Sequence, residues 1–454
     1  MKTPTIRTRL KLFVLSALLL PWPAYSQVLS EADLVYLEDL TQAVIDSSRV
    51  PAGEQLPPAI RDFGPNNTGI SLIRPGGRDC YPAFWIRDYA MSLETGMIPS
   101  EEQLQILLFT AARQTDQSWI TGGGSLVPLG AIPDHIRFSD GLPVYYPGTY
   151  SYTSQGSPMW RIPPYCDQFY FIHMVWNYVT SGSDPSVLAQ VINNRTLTDR
   201  LLLAYGMVPE NPQTGMVTIS PDFQTCDFGF RDVIGMTGDV CFGSLLKYQS
   251  ATELTELLEM IGEGEKAGYY RQAAEKIRKG IMPVFGLQSG MLKATTGVSS
   301  QPDVWATAYA VYLGILDERP ASEASAVLCR GYREGALAME GQIRHVMTTD
   351  NFSETTMWEK SPVAINTYQN GAYWATPTGW VCYAMAKTDP ALARQLAGEF
   401  IQTLRNTDFR LGLPDAAGPY ECMFPPTGAK QNAVYMTSVT CPLTAFRKMN
   451  RKGY

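Results

Sequence analysis

Apolar residues recur through this 454-residue chain at helical spacing, and runs that alternate with period two are few. The spacing predicts twelve helices, over 31–48, 84–97, 101–115, 165–181, 186–206, 237–261, 265–282, 302–316, 320–337, 371–387, 389–406 and 432–448. Start signals support several of them. Ser30 precedes "EADL", Ser100 precedes "EEQLQILL", and the pairs Asp184-Pro185 and Asp389-Pro390 precede "SVLAQVI" and "ALARQLAGEF". A short oxygen-bearing side chain at that position accepts from the first unpaired helical N–H groups, and proline at the first helical position has no N–H to lose.

The connections between these helices alternate in length. Those at 97–101, 181–186, 261–265, 316–320 and 387–389 are only a few residues, whereas 115–165, 206–237, 282–302, 337–371 and 406–432 are long. Antiparallel hairpins joined in that way gather every long loop at one end, and long ordered loops in compact domains tend to carry function. The helix entering from that end is the more apolar or glycine-rich of each pair: "FWIRDYAMSLETG", "CDQFYFIHMVWNYV", "GDVCFGSLLKYQ", "PDVWATAYAVYLGIL" and "GAYWATPTGWVCYAMA". Partners such as "EKAGYYRQAAEKIRKGI" keep charge on one face. The pattern is that of an inner ring of helices and an outer one.

Six such hairpins, with the first and last helices meeting, resemble the (α/α)6 barrel of the six-hairpin glycosidases, the glucoamylase-like enzymes among them. The resemblance spans nearly all of residues 27–454. It implies an all-α fold in one catalytic domain, with a funnel of loops over the N-termini of the inner helices. Related toroids also serve epimerases, terpene cyclases and polysaccharide lyases, so topology by itself does not fix the chemistry.

The first 26 residues stand apart from this pattern. Lys2, Arg7, Arg9 and Lys11 lead into the uncharged run "LFVLSALLLPWPAYS", which Pro21 and Pro23 make too short and interrupted to cross a bilayer. The run closes on Ala24-Tyr25-Ser26, a small-x-small cleavage pattern, so residues 1–26 read as a secretory leader and the remainder as a periplasmic or secreted protein with no membrane partner. A net charge of -7 supplies nothing to neutralise phosphates and excludes nucleic acid as a partner. Eight cysteines follow the leader, and export permits disulfides that a chain of this size does not need. The three histidines, His135, His173 and His345, show no ligand spacing, and CxxC, Walker and dinucleotide motifs are lacking, so neither metal nor cofactor is expected.

On such a funnel, "FWIRDY" falls at the start of the first inner helix. There Asp88 meets a favourable helix-end field, Arg87 and Asp88 offer directional hydrogen bonds to vicinal hydroxyls, and Trp85 offers an apolar face to the C–H side of a pyranose. The segment resembles the subsite that holds the terminal sugar in glucoamylase-like enzymes. The structural alternative is a capping aspartate paired with arginine beneath a core tryptophan. The third long loop, "ISPDFQTCDFGFRDVIGMTGD", sets Asp222, Asp227, Asp232 and Asp239 among Phe223, Phe228 and Phe230. Apolar surroundings favour the protonated carboxyl that a general acid needs at neutral pH. The resemblance puts the acid in this part of the ring, which selects Asp227 first and Asp232 second, leaving Asp222 and Asp239 as turn and cap residues. In the last long loop Glu421 stands among Tyr420, Met423 and Phe424. The resemblance puts the water-activating base there, with Glu354 and Glu359 as reserves. Asp167 in "YCDQF", Asp303 and Trp305 in "QPDVWATAY", and Gln369, Asn370 and Trp374 in "YQNGAYWATPTGW" complete a set of amide, carboxylate and indole groups suited to sugars. The other reading of these residues is an inner ring packed through small side chains.

The combined expectation is an exo-acting glycoside hydrolase with a carbohydrate substrate. By analogy with the glucoamylase-like barrels it is inverting, with its two carboxyl groups about 6.5–9.5 Å apart. A polysaccharide lyase or unsaturated uronyl hydrolase, drawing on His135, Arg137 and Tyr145, is one competitor. A glycan-binding protein without chemistry is the other.

Overall fold

The computed structural model describes residues 27–76, 80–120, 126–145, 166–219, 228–413, 417–425 and 427–452. The expected leader, Asp222 and Asp227 lie outside the described residues. Within them each predicted window holds one α-helix: α1 (Glu31–Ser48), α2 (Ile86–Ala90), α3 (Ser100–Ala111), α4 (Cys166–Thr180), α5 (Leu197–Met207), α6 (Cys241–Met260), α7 (Gly264–Phe285), α8 (Val304–Leu313), α9 (Glu318–Arg333), α10 (Thr378–Met385), α11 (Pro390–Thr407) and α12 (Thr437–Lys452). The fold is mostly α. Ser30 caps α1 by accepting from the Asp33 amide at 3.1 Å, and Asp389 caps α11 by accepting from the Leu392 amide at 3.0 Å. Ser100 is the first residue of α3 rather than its cap.

The helices fall into two classes by burial. Every residue of α8 from Val304 to Tyr312 is buried. By contrast α7 buries Ala267, Tyr270, Ala274, Ile277, Ile281 and Phe285, the single stripe of a helix with one wet face. Contacts follow the same division. Helix α2 packs on α4, α4 on α6, α6 on α8, α8 on α10, α10 on α12, and α12 on the turn Leu93–Thr95 that follows α2. Each odd-numbered helix packs on one or more of these even-numbered ones. One continuous buried cluster draws apolar side chains from Val28 to Met449.

Three windows depart from the expected helix; in 371–387 Tyr373–Trp374 is extended and α10 begins only at Thr378. Residues 84–97 hold only the five-residue α2, because Ala83–Trp85 is extended and pairs with His135–Arg137, Phe84 opposite Ile136 and Trp85 opposite His135. In 186–206 the chain forms a 3-10 turn over Pro185–Ala189 and a tight hairpin before α5 begins. Asn193 and Asn194 supply the hairpin turn with φ values of 45° and 66°, a left-handed pair that asparagine tolerates better than most residues. The "NN" signal outweighed the apolar period around it. Short strands also form in the long loops, which the search for period two did not reveal. Ala338–Met339, Gln342–Ile343, Tyr373–Trp374, Tyr420–Phe424 and Ala429–Ala433 make a five-stranded antiparallel sheet, and Glu421 rides on its fourth strand. Strands of two to five residues are too short to print an alternation.

No helix among the described residues is long and apolar enough to cross a membrane. Cys241, Cys329, Cys382, Cys422 and Cys441 are free thiols.

Candidate active site

Segments far apart in sequence meet at one cavity of about 190 Å3. Tyr81, Trp85, Arg87 and Asp88 reach it from the strand-to-helix junction at α2, and Asp134 from the loop after α3. Asp232 and Val233 come from the segment before α6, Tyr368 from that before α10, and Glu421 and Tyr435 from that before α12. All these segments approach at the N-terminal ends of even-numbered helices. The volume lies below the ~300 Å3 at which sites for drug-sized ligands begin.

The backbone around the cavity is strained. Nine described non-glycine residues have left-handed φ, and five of them, Tyr81, Phe230, Tyr368, Asn432 and Val434, belong to this neighbourhood. Such conformations cost about 1–3 kcal/mol each and persist where the surroundings over-determine them. Gly229, at φ 70°, is required for another reason: a Cβ there would stand 2.9 Å from the Phe242 ring. It lets the chain pass close to α6 before Phe230 and Asp232.

Glu421 is 1% exposed and has both carboxyl oxygens engaged. The Tyr81 hydroxyl donates to Oε1 at 2.8 Å, and the Asn432 amide donates to Oε2. Burial pushes Glu421 up to about 8, against the pull of those two donors and with the help of the nearby Asp88 and Asp232 charges. Asp88 accepts from the Tyr435 hydroxyl at 2.5 Å. Burial raises it to about 6, while Arg87 and that hydroxyl work in the opposite direction. Asp232 forms an ion pair with Arg87 at 2.8 Å and accepts from the Gln369 amide at 2.7 Å. The Gln369 carbonyl in turn accepts from the Val233 amide at 2.9 Å, so one side chain fixes both the Asp232 carboxyl and its backbone. Arg87 is also held over the Phe230 ring, 4.3 Å from its centroid.

Trp85 stacks on His135, ring centroids 4.3 Å apart, and meets Tyr81 edge-on at 4.9 Å. His135 Nδ1 is 2.6 Å from Asp134 Oδ2, which ties the tryptophan's backing to a carboxylate of the cavity wall. Asp167 sits just behind, 1% exposed, with neither carboxyl oxygen hydrogen-bonded among the described residues. Burial, then the Asp134 charge, holds it well above the usual carboxylate range, and Arg87 opposes them. Its neutral form is the one such a place tolerates.

Of the residues singled out in the sequence, Trp85, Arg87, Asp88, Asp232 and Glu421 therefore line one space. Asp227 lies outside the described residues. Four others, expected against a sugar, stand in the packing instead. Asp303 is fully buried, caps α8 by accepting from the Ala306 amide at 3.0 Å, and pairs with the equally buried Arg231 at 2.8 Å. Trp305 is stacked on His345 at 3.7 Å and Trp374 on Phe230 at 5.3 Å, both wholly inaccessible. Asn370 accepts from the Met357 amide and donates to the Val363 carbonyl, each at 2.8 Å, which closes its own loop. Gln369 is also fully buried and acts on Asp232 rather than on the cavity. Asp239 is not a cap either: it accepts from the Asn211 amide at 3.0 Å. Glu354 is exposed, and Glu359 lies away from the cavity. Tyr81, Asp134, Asn432 and Tyr435 escaped the sequence reading. Their one signal was position, each within a few residues of a segment already marked.

The Arg231–Asp303 pair carries a stability prediction. Asp303→Ala strips the cap from α8 and leaves a buried guanidinium uncompensated, and it lowers unfolding free energy by about 3–5 kcal/mol in a denaturant titration. A loss below ~1 kcal/mol contradicts the structural role.

No family model and no curated protein matches the sequence. Solved structures do. A mannosylglycerate hydrolase of glycoside hydrolase family 63 from Thermus thermophilus, in complex with Tris and D-glycerate, is 12% identical over 90% of this chain and 99% of its own, with a TM-score of 0.56. A structure described as a wild-type glycosidase is 13% identical over 93% of this chain and 99% of its own, with a TM-score of 0.52. The fold is of the glycosidase type. An uncharacterized conserved protein from Thermus thermophilus shares it at 14% identity and a TM-score of 0.53, over 90% of this chain and 99% of its own. At such identities the fold is what is shared.

Proposed function

We propose that residues 27–454 form a single (α/α)6 barrel, closed by the cycle of contacts among its even-numbered helices, and that the protein is an exported, exo-acting glycoside hydrolase. The observation that carries this reading is the meeting of Asp88, Asp232 and Glu421 with Trp85 and Arg87 in one cavity. The glycosidase-type fold supports it. In this reading Arg87 and Asp88 hold hydroxyls of the terminal sugar, and Trp85 takes its apolar face. Glu421 is the base that activates water, because both of its oxygens are held as acceptors by Tyr81 and Asn432. Its raised affinity for a proton makes it a stronger base once ionised. Asp232 is the proton donor on the leaving-group side. Inversion follows from the glucoamylase-like resemblance.

The cavity wall argues against a uronate as substrate. Among its described lining residues Arg87 is the only cation, and it is already paired with Asp232 among three further carboxyl groups. The parts a lyase needs do not converge: Arg137 pairs with Asp140 at the surface, and the Tyr145 hydroxyl donates to the Arg113 carbonyl at 2.5 Å.

A screen of neutral aryl glycosides and oligosaccharides finds a substrate in this reading, and the pH dependence of its kcat/KM tests the carboxyl pair. The active form has Glu421 ionised and Asp232 protonated, so kcat/KM falls as pH climbs through about 8, the higher of the two values. A kcat/KM that keeps rising above pH 8 contradicts the pair.

A further inference from the structure

At the other ends of the even-numbered helices lies a second and larger cavity, of about 620 Å3, within the range of small-molecule sites and unrelated to the carboxylates described above. All six even-numbered helices, or the turn after α2, contribute to its wall. On α4, His173 and Asn177 are one turn apart and share a face. His173 Nδ1 is 2.6 Å from the buried Glu253, and its Nε2 faces Glu94 at 3.9 Å, beyond hydrogen-bonding range. The Gln249 amide donates to the same Glu253 oxygen at 2.8 Å and its carbonyl accepts from the Tyr309 hydroxyl at 2.5 Å, so one network runs across the wall. Asn177 is 6% exposed and its carbonyl oxygen has no partner among the described residues, an acceptor built into a place where leaving it unmade is costly. Trp380 and Tyr309 lie 4.6 Å apart and present aromatic surface. Cationic groups gather on α12, where Lys448 donates to the Tyr312 carbonyl at 3.0 Å and sits 3.8 Å above the Tyr312 ring.

We propose that this cavity is a second ligand site for a hydroxylated ring compound bearing one carboxylate. The α12 cations take the carboxylate, the Asn177 carbonyl accepts from a hydroxyl, and the indole and phenol rings take the ring face. The charge of the two cavities is opposite in character, carboxylate-rich at the first and cation-rich at the second, so an anionic sugar acid distinguishes them without help from any reading of the first.

Calorimetric titration of the full-length protein with D-glucuronate, with D-glucose as the neutral control, tests this. Saturable one-site binding of glucuronate is expected, tighter than that of glucose. Asn177→Leu and Lys448→Met, checked for an unchanged melting temperature, each weaken it at least about fivefold, the worth of one hydrogen bond or one charge contact. Arg87→Lys at the first cavity leaves it unchanged. Absence of saturable heat overturns the proposal. So does affinity that survives both α12 and α4 substitutions, or that is lost with Arg87→Lys alone.

Discussion

Glu421→Gln lowers turnover of any glycoside the protein hydrolyses by about 10²–10⁴-fold, the usual contribution of a positioned acid or base. The same change raises stability above pH 8. Burial holds the Glu421 carboxyl at about 8 in the folded protein against an ordinary 4.5, so the unfolded chain loses its proton first as pH rises. Stability fully present below about 4.5 is then lost as pH climbs through 8. The penalty is on the order of 5 kcal/mol at most, and a neutral glutamine of the same shape does not bear it. Melting temperature at alkaline pH therefore rises by at least ~2 °C in the variant, while at pH 4 the two proteins melt within ~1 °C. A variant that is inactive and less stable at every pH indicates a structural glutamate.

Asp232→Asn has an effect of similar size with a different signature. A proton donor matters in proportion to how badly the leaving group needs its proton. The variant loses about 10²–10⁴-fold on an alkyl or sugar leaving group and far less on a dinitrophenyl glycoside or glycosyl fluoride. Equal losses on both classes point to a positioning role through Arg87. The signature appearing in Asp227→Asn, and not in Asp232→Asn, moves the donor five residues upstream.

The helical skeleton was legible because its message is redundant. Long helices such as α1, α7 and α11 repeat the 3.6-residue period over several turns, and α1 and α11 also carry the caps Ser30 and Asp389. The site was half legible. Trp85, Arg87, Asp88, Asp232 and Glu421 stood out because charge and indole are rare in such apolar text. Asp303, Trp305 and Trp374 stood out for the same reason, yet they serve packing, and nothing in residue type separates a tryptophan stacked on Phe230 from one that faces a sugar. The distinction lies in local backbone geometry. The same holds for Tyr81 and Asn432, which reach Glu421 from left-handed conformations that no spacing announces. Gln369 was read as a sugar ligand and is a brace, because its two hydrogen bonds depend on a fold-level approach to Asp232 and Val233.

Proton NMR of the first product released from a neutral oligosaccharide decides whether the cavity hydrolyses terminal sugars. A single terminal monosaccharide is expected, formed first in the inverted anomeric configuration by the wild-type protein and absent with Glu421→Gln. Internal fragments, a product carrying a C4–C5 double bond, or equal release by both proteins would contradict it.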